Sequence, residues 1–199
     1  MIVGCETRGW NVLKKEEKFV GLADYIEKSL SKHKNFFANQ LQQKNSKGFA
    51  FHNFIRSISA KCGKEGLIYS NLFCFSWNKG SPIGSPHFET IKKYSGTLLK
   101  AQITHFKPNI IIFANGINSA FYRREIFPIE GHDRVCNKGK DYHRTDDVSK
   151  HHLWEFELYD RIRCFRIHHP SSRSKEAIKA RELLLKLLPA APKNSETNM

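Results

Sequence analysis

The hydrophobic positions of this chain switch repeatedly between two periods. Short apolar-rich runs mark strands: Met1 to Val3, Leu67 to Phe73, Asn109 to Ala114 and Ile162 to Ile167. Between them, apolar residues recur at helical spacing. Phe19, Leu22, Tyr25, Ile26 and Leu30 predict an amphipathic helix over about 15–32. Phe51, Phe54, Ile55 and Ile58 predict a second, stopped near Gly63. A helix over about 87–106, one carrying Phe121 and Tyr122 after the Asn115-Gly116 turn, and a last from Lys175 to Leu188 follow. The polar stretch from Lys32 to Lys47 reads as a short helix or a mobile basic arm, with Phe36, Phe37 and Leu41 as packing points. Gly80 to Pro86 reads as an irregular loop, and 128–150 as polar and turn-rich. Strands alternating with helices predict a single α/β domain over 1–188, with a central, mainly parallel four-stranded sheet flanked by helices. A disordered tail is expected over 189–199.

That architecture fixes where chemistry belongs. Open parallel sheets bind ligands outside the carboxyl ends of their strands. The first strand runs into Gly4-Cys5-Glu6-Thr7-Arg8-Gly9, a glycine-flanked loop holding one carboxylate. The last runs into His168-His169-Pro170-Ser171-Ser172-Arg173, a loop holding histidines before a helix start. A carboxylate and an imidazole at neighbouring strand ends form a catalytic layout.

Charge narrows the partner. The 199 residues carry 33 Lys and Arg against 19 Asp and Glu, a net charge of +14. Such an excess favours a polyanion, because each cation that neutralises a phosphate also releases counterions. The five cysteines, Cys5, Cys62, Cys74, Cys136 and Cys164, are scattered, odd in number and form no Cys-x-x-Cys pair. With no signal-peptide pattern at the start, a reduced, cytoplasmic protein is expected. No apolar run approaches the roughly 18 residues of a membrane span, so no membrane partner is expected. His132, Cys136, His143, His151 and His152 fit no standard zinc spacing, and the cysteines fit no iron–sulfur spacing. No metal and no cofactor are expected.

At this point the residues resemble the uracil-DNA glycosylase superfamily. Gly4-Cys5-Glu6-Thr7-Arg8 stands where those enzymes have a loop of the type Gly-Gln-Asp-Pro-Tyr. Ser70-Asn71-Leu72 stands where a central strand ends in a base-reading asparagine, and His169-Pro170-Ser171 matches their His-Pro-Ser loop. Lys107 to Phe113, with its small-residue turn, is similar to the family's third strand. The motif order extends from residue 1 to about 188. The resemblance implies a monomeric DNA glycosylase acting on a flipped base. Glu6 would stabilise the sugar cation and orient or deprotonate the attacking water; His169 would stabilise the leaving base. The His-Pro-Ser register favours His169 over its neighbour His168. Asn71 would read the base edge, and Phe51, or secondly Phe54, would stack on it. Ser81, Ser85, Ser171 and Ser172 would contact phosphates. Arg173, where many relatives carry an apolar wedge, can stack in the vacated gap or hold a phosphate.

The departures fall in the expected pocket, lined by Cys5, Thr7 and Arg8. Uracil-specific relatives follow the carboxylate with Pro-Tyr, whose ring blocks bases substituted at ring position five. Thr7-Arg8 lacks that ring. A pyrimidine bearing a bulky polar group is therefore expected, such as glucosylated 5-hydroxymethylcytosine in phage DNA, its removal serving antiviral defence. Uracil removal in base-excision repair and a non-catalytic nucleic-acid-binding module are the alternatives.

Overall fold

All four predicted strands become parallel neighbours. The computed structural model describes residues 1–6, 17–75, 77 and 80–191. Strand β1 (Ile2–Glu6) lies inside the sheet, with Ile2 and Val3 buried against opposite layers. It pairs in parallel with β2 (Tyr69–Phe73) on one side and β3 (Ile110–Phe113) on the other. Strand β6 (Ile162–Ile167) extends the parallel set beyond β3. Leaving β1, the chain reaches β2 on one flank and then returns to β3 on the other. The connections therefore diverge at the carboxyl end of β1, the switch point where such sheets bind ligands.

The sheet has six strands and is mixed, where four were expected. Strand β5 (Leu153–Leu158) pairs antiparallel with β6, and β4 (Cys136–Lys140) pairs antiparallel with β5, giving the order β2-β1-β3-β6-β5-β4. Leu153-Trp154-Glu155-Phe156-Glu157-Leu158 does carry period-2 alternation, but its two acids lower its apolar content. Both acids are paired in the sheet: Glu155 accepts from the Arg163 guanidinium at 2.8 Å and from the Tyr142 hydroxyl, and Glu157 lies 2.8 Å from Lys138. Strand β4 is an edge strand, and its lysines suit it to that position.

Helices cover both faces. On one, α2 (Ala50–Cys62) and α6 (Lys175–Leu187) supply Phe54, Ile55, Ile58, Ala180 and Leu184. On the other, α3 (Phe88–Phe106) and α4 (Ala120–Ile126) supply Leu99, Ile103 and Ile126. A one-turn helix α5 (His143–Asp146) follows β4. Helix α1 spans Leu22–Gln42, starting later than expected and absorbing most of the stretch read as a short helix or arm. Phe37 and Leu41, in that second half, pack on the core, whereas the predicted apolar stripe Leu22, Ile26, Leu30 faces solvent. Helical periodicity identified the helix, but not the face it buries. Among the described residues, no helix is long and apolar enough to cross a membrane.

One core residue is chemically unusual. The Arg123 guanidinium is fully buried over Phe156 (4.7 Å), Trp154 (5.5 Å) and Phe113 (5.6 Å), and its Nε and Nη1 find no hydrogen-bond partner. Burial lowers its pKa to about 10. Ring contacts return about 2 kcal/mol, while desolvating the ion costs several. Arg123→Met, which keeps the volume and removes the charge, is therefore expected to raise stability by about 1–2 kcal/mol in urea unfolding. A loss of stability in that variant would mean the ring contacts outweigh desolvation.

Candidate functional site

Register brings the first two candidate residues together. Gly4 of β1 pairs with Asn71 of β2, and alternation puts Asn71 and Tyr69 on one face of the sheet. The Tyr69 hydroxyl donates to Asn71 Oδ1 at 3.0 Å. That oxygen fills the space of an absent side chain: a Cβ on Gly4 would lie 2.6 Å from it and 3.1 Å from Phe51 Cζ. Glu6 follows two positions along β1, on the Gly4 face by alternation and opposite Phe73 in register. Burial, reinforced by the negative charge of Glu6, pushes the Tyr69 phenol up to about 12.

This shift has a measurable consequence. The folded chain holds the neutral phenol more tightly than the unfolded chain does, whose tyrosine ionises near its ordinary value of about 10. The stabilisation is fully present below pH 10 and is lost as pH rises from 10 through 12. It amounts to roughly 2–3 kcal/mol. Wild type is expected to lose stability more steeply than Tyr69→Phe across that window, measured by urea unfolding at stepped pH. Parallel profiles would refute the assignment to Tyr69.

The loop after β6 supplies the imidazole. His169 Nδ1 accepts the Ser171 backbone N–H at 3.2 Å and lies 2.7 Å from Ser171 Oγ. A backbone N–H can only donate, so Nδ1 is the accepting nitrogen in this contact and Nε2 is the nitrogen left to face a ligand. The loop is pinned by Ser172 N–H donating to the His169 carbonyl (2.8 Å) and by Arg181 of α6 donating to the Ser172 carbonyl (3.0 Å). Gly116, at φ +82°, passes close beneath: its missing Cβ would lie 3.6 Å from the His169 backbone nitrogen. The Phe51 ring lies nearly parallel to the imidazole, 5.7 Å away at 21°, and 5.6 Å from Tyr69. His33 and Phe37 of α1 also pack against Tyr69, at 5.4 and 5.7 Å.

His168 belongs elsewhere. It stacks on His152 at 4.8 Å, whose Nδ1 contacts Ser149 Oγ at 3.1 Å. Burial, then the neighbouring His152 and Arg166, hold its pKa below the ordinary histidine value. His169 is thus the histidine beside Phe51.

The remaining expected residues divide. Phe54 is 5% exposed, a core residue between α2 and the sheet, and takes no part in the constellation. Cys5 packs on the opposite layer, against the α3 side. Thr7 and Arg8 lie outside the described residues. Ser81 Oγ accepts the Ile83 N–H at 3.4 Å, and the buried Ser85 accepts the His87 N–H at 3.0 Å, so both hydroxyls organise the turn before α3. Ser171 and Arg173 are exposed and Ser172 half-buried. Sequence reasoning missed Tyr69, although its position two residues before Asn71 on a strand was a usable signal. It also missed Asn115, whose buried amide oxygen and nitrogen both lack a partner just beyond β3. Among the described residues no group of three or more His, Cys, Asp or Glu could hold a metal ion.

Compared with known proteins, the chain matches no family model, no curated protein and no solved structure.

Proposed function

We propose that this chain is a DNA glycosylase of the uracil-DNA glycosylase type, which hydrolyses the N-glycosidic bond of a flipped-out pyrimidine and leaves an abasic site. The observation that supports this reading is the placement of a carboxylate, a carboxamide and an imidazole on elements that meet at the switch point of the sheet. Glu6 ends β1, Asn71 lies across from Gly4, and His169, whose Nδ1 faces the Ser171 N–H, stands beside the Phe51 ring. The net charge of +14 suits a DNA partner.

In this mechanism the bond between the sugar C1′ and the base nitrogen breaks, and its electron pair leaves with the base. The His169 Nε2–H donates to the base oxygen where negative charge grows, and Asn71 holds the base edge. Glu6 stabilises the sugar cation and takes a proton from the water whose oxygen bonds to C1′. The base anion then takes a proton from solvent. Phe51 provides the aromatic wall for the extruded ring. Without a Pro-Tyr pair after the carboxylate, the pocket suits a base with a bulky polar group at ring position five, such as glucosylated 5-hydroxymethylcytosine in phage DNA. The protein would then act as a monomeric, cytoplasmic antiviral enzyme.

The test is base release from three matched DNAs: uracil-containing, unmodified, and containing glucosylated 5-hydroxymethylcytosine. Alkali reveals abasic sites. Cleavage of the glucosylated DNA alone is expected. Cleavage of uracil DNA alone would make the protein a repair enzyme, and silence on all three with tight DNA binding would leave a binding module.

A further inference from the structure

The face of the sheet opposite Gly4 and Asn71 carries a second polar cluster, which the chemistry above leaves unused. Arg166 of β6 pairs in register with Phe113 of β3, and Phe113 packs in the layer of α3 and α4. Arg166 therefore faces that layer. It is 6% exposed, and its guanidinium donates to the carbonyls of His151 (2.6 Å) and Lys150. Two carbonyls occupy part of its five donors and neutralise none of its charge. Among the described residues neither Arg166 nor Arg124 of α4 forms an ion pair.

Two positions further on, the same register carries Asn115 alongside His168, and the close approach of Gly116 to the His169 backbone nitrogen agrees with it. Asn115 is 5% exposed, and neither its amide oxygen nor its amide nitrogen has a partner. His168 and His152, stacked at 4.8 Å, are both half-buried. Burial, then the Arg124 charge, lowers the Arg166 pKa to about 10, and burial, then His152 and Arg166, lowers that of His168. The groups gathered here are cations and donors that oppose one another's charge. Glu176, exposed in the first turn of α6, is held low by its own backbone N–H and by Ser174, with less from His152.

We propose that Arg166, Asn115 and the His152–His168 pair form a phosphate-binding site on this face, separate from the constellation of Glu6, Asn71 and His169, with Arg124 at its rim. A buried cation without a counter-charge and a buried amide without an acceptor are both unfavourable. A phosphate oxyanion supplies the missing charge to the guanidinium and the missing acceptor to the amide NH2, and it accepts from imidazole N–H as well. The half-buried imidazoles give it a route to the buried groups. The net charge of +14 favours a polyanion as the source of that phosphate. The site stands whether or not the chain cleaves glycosidic bonds.

The experiment titrates the full chain with inorganic phosphate at constant ionic strength, follows the histidine ring signals by NMR, and uses chloride as the control. The His152 and His168 signals are expected to move together and saturate with phosphate alone. His168→Phe keeps a ring on His152 but loses the ring donors, so phosphate affinity should fall by at least about tenfold. Asn115→Leu removes the orphaned amide, and should bind phosphate more weakly while melting no lower than wild type. Duplex DNA without modified bases then identifies the source. Lower DNA affinity in His168→Phe and Arg124→Gln assigns the site to the nucleic-acid backbone. Unchanged DNA affinity beside lost phosphate binding assigns it to a small phosphorylated ligand. Histidine signals that ignore phosphate, or equal phosphate affinity in wild type and His168→Phe, overturn the proposal. A lower melt with undiminished affinity in Asn115→Leu overturns the part given to Asn115.

Discussion

Under the glycosylase mechanism proposed above, Glu6→Gln is expected to reduce base release by about 10²–10⁴-fold while leaving fold and DNA binding in place. The amide keeps the shape of the carboxylate and loses both of its tasks. It cannot accept a proton from water, and it offers no negative charge to the developing sugar cation. Glu6 lies at the end of β1, half-buried, so the isosteric change should leave the core undisturbed. The check is single-turnover abasic-site formation beside a thermal melt and a binding titration. Unchanged base release would remove Glu6 from the mechanism and leave the strand end without a catalytic base. Lost binding with a normal melt would instead make the carboxylate a ligand-positioning group. His169→Ala should lose less, because it removes one donor from the leaving base and leaves the water and cation chemistry in place.

The parts of the site that were legible in the sequence were those set by strand ends. A buried run followed by a carboxylate, and another followed by His-Pro-Ser, place their polar residues at the carboxyl edge of any parallel sheet, and Glu6 and His169 lie there. Asn71 was reached through the family resemblance, from the place of Ser70-Asn71-Leu72 on its strand. What periodicity could not supply was direction. The stripe Leu22, Ile26, Leu30 has good helical spacing, yet α1 is anchored by Phe37 and Leu41, about two and three turns beyond it. Phe51 and Phe54 are near neighbours on α2, but one reaches the site and the other fills the core, a choice made by helix rotation against the sheet. Strand β5 was hidden because its acids have partners distant in sequence or on the next strand: Arg163, Tyr142 and Lys138. Tertiary pairing of that kind leaves no trace in local composition.

Gly4→Ala is the smallest change expected to disable the site. The backbone of β1 accepts alanine, so any damage comes from contact. The added Cβ would stand 2.6 Å from Asn71 Oδ1 and 3.1 Å from Phe51 Cζ, the first closer than real side chains approach. Asn71 must move, and the hydrogen bond from Tyr69 must stretch or break with it. A shift of about 1 Å at a base-holding group costs about 10²-fold in rate, while overpacking costs about 1–3 kcal/mol of stability. The double variant Gly4→Ala/Asn71→Ala separates the two effects. Removing the amide removes the clash, so stability should return close to that of Asn71→Ala alone, while base release stays low because the base-reading group is gone. If the two substitutions cost stability additively, the close approach of Gly4 to Asn71 is not what makes alanine harmful. If Gly4→Ala alone keeps full activity, Asn71 tolerates displacement and does not read the base from this position.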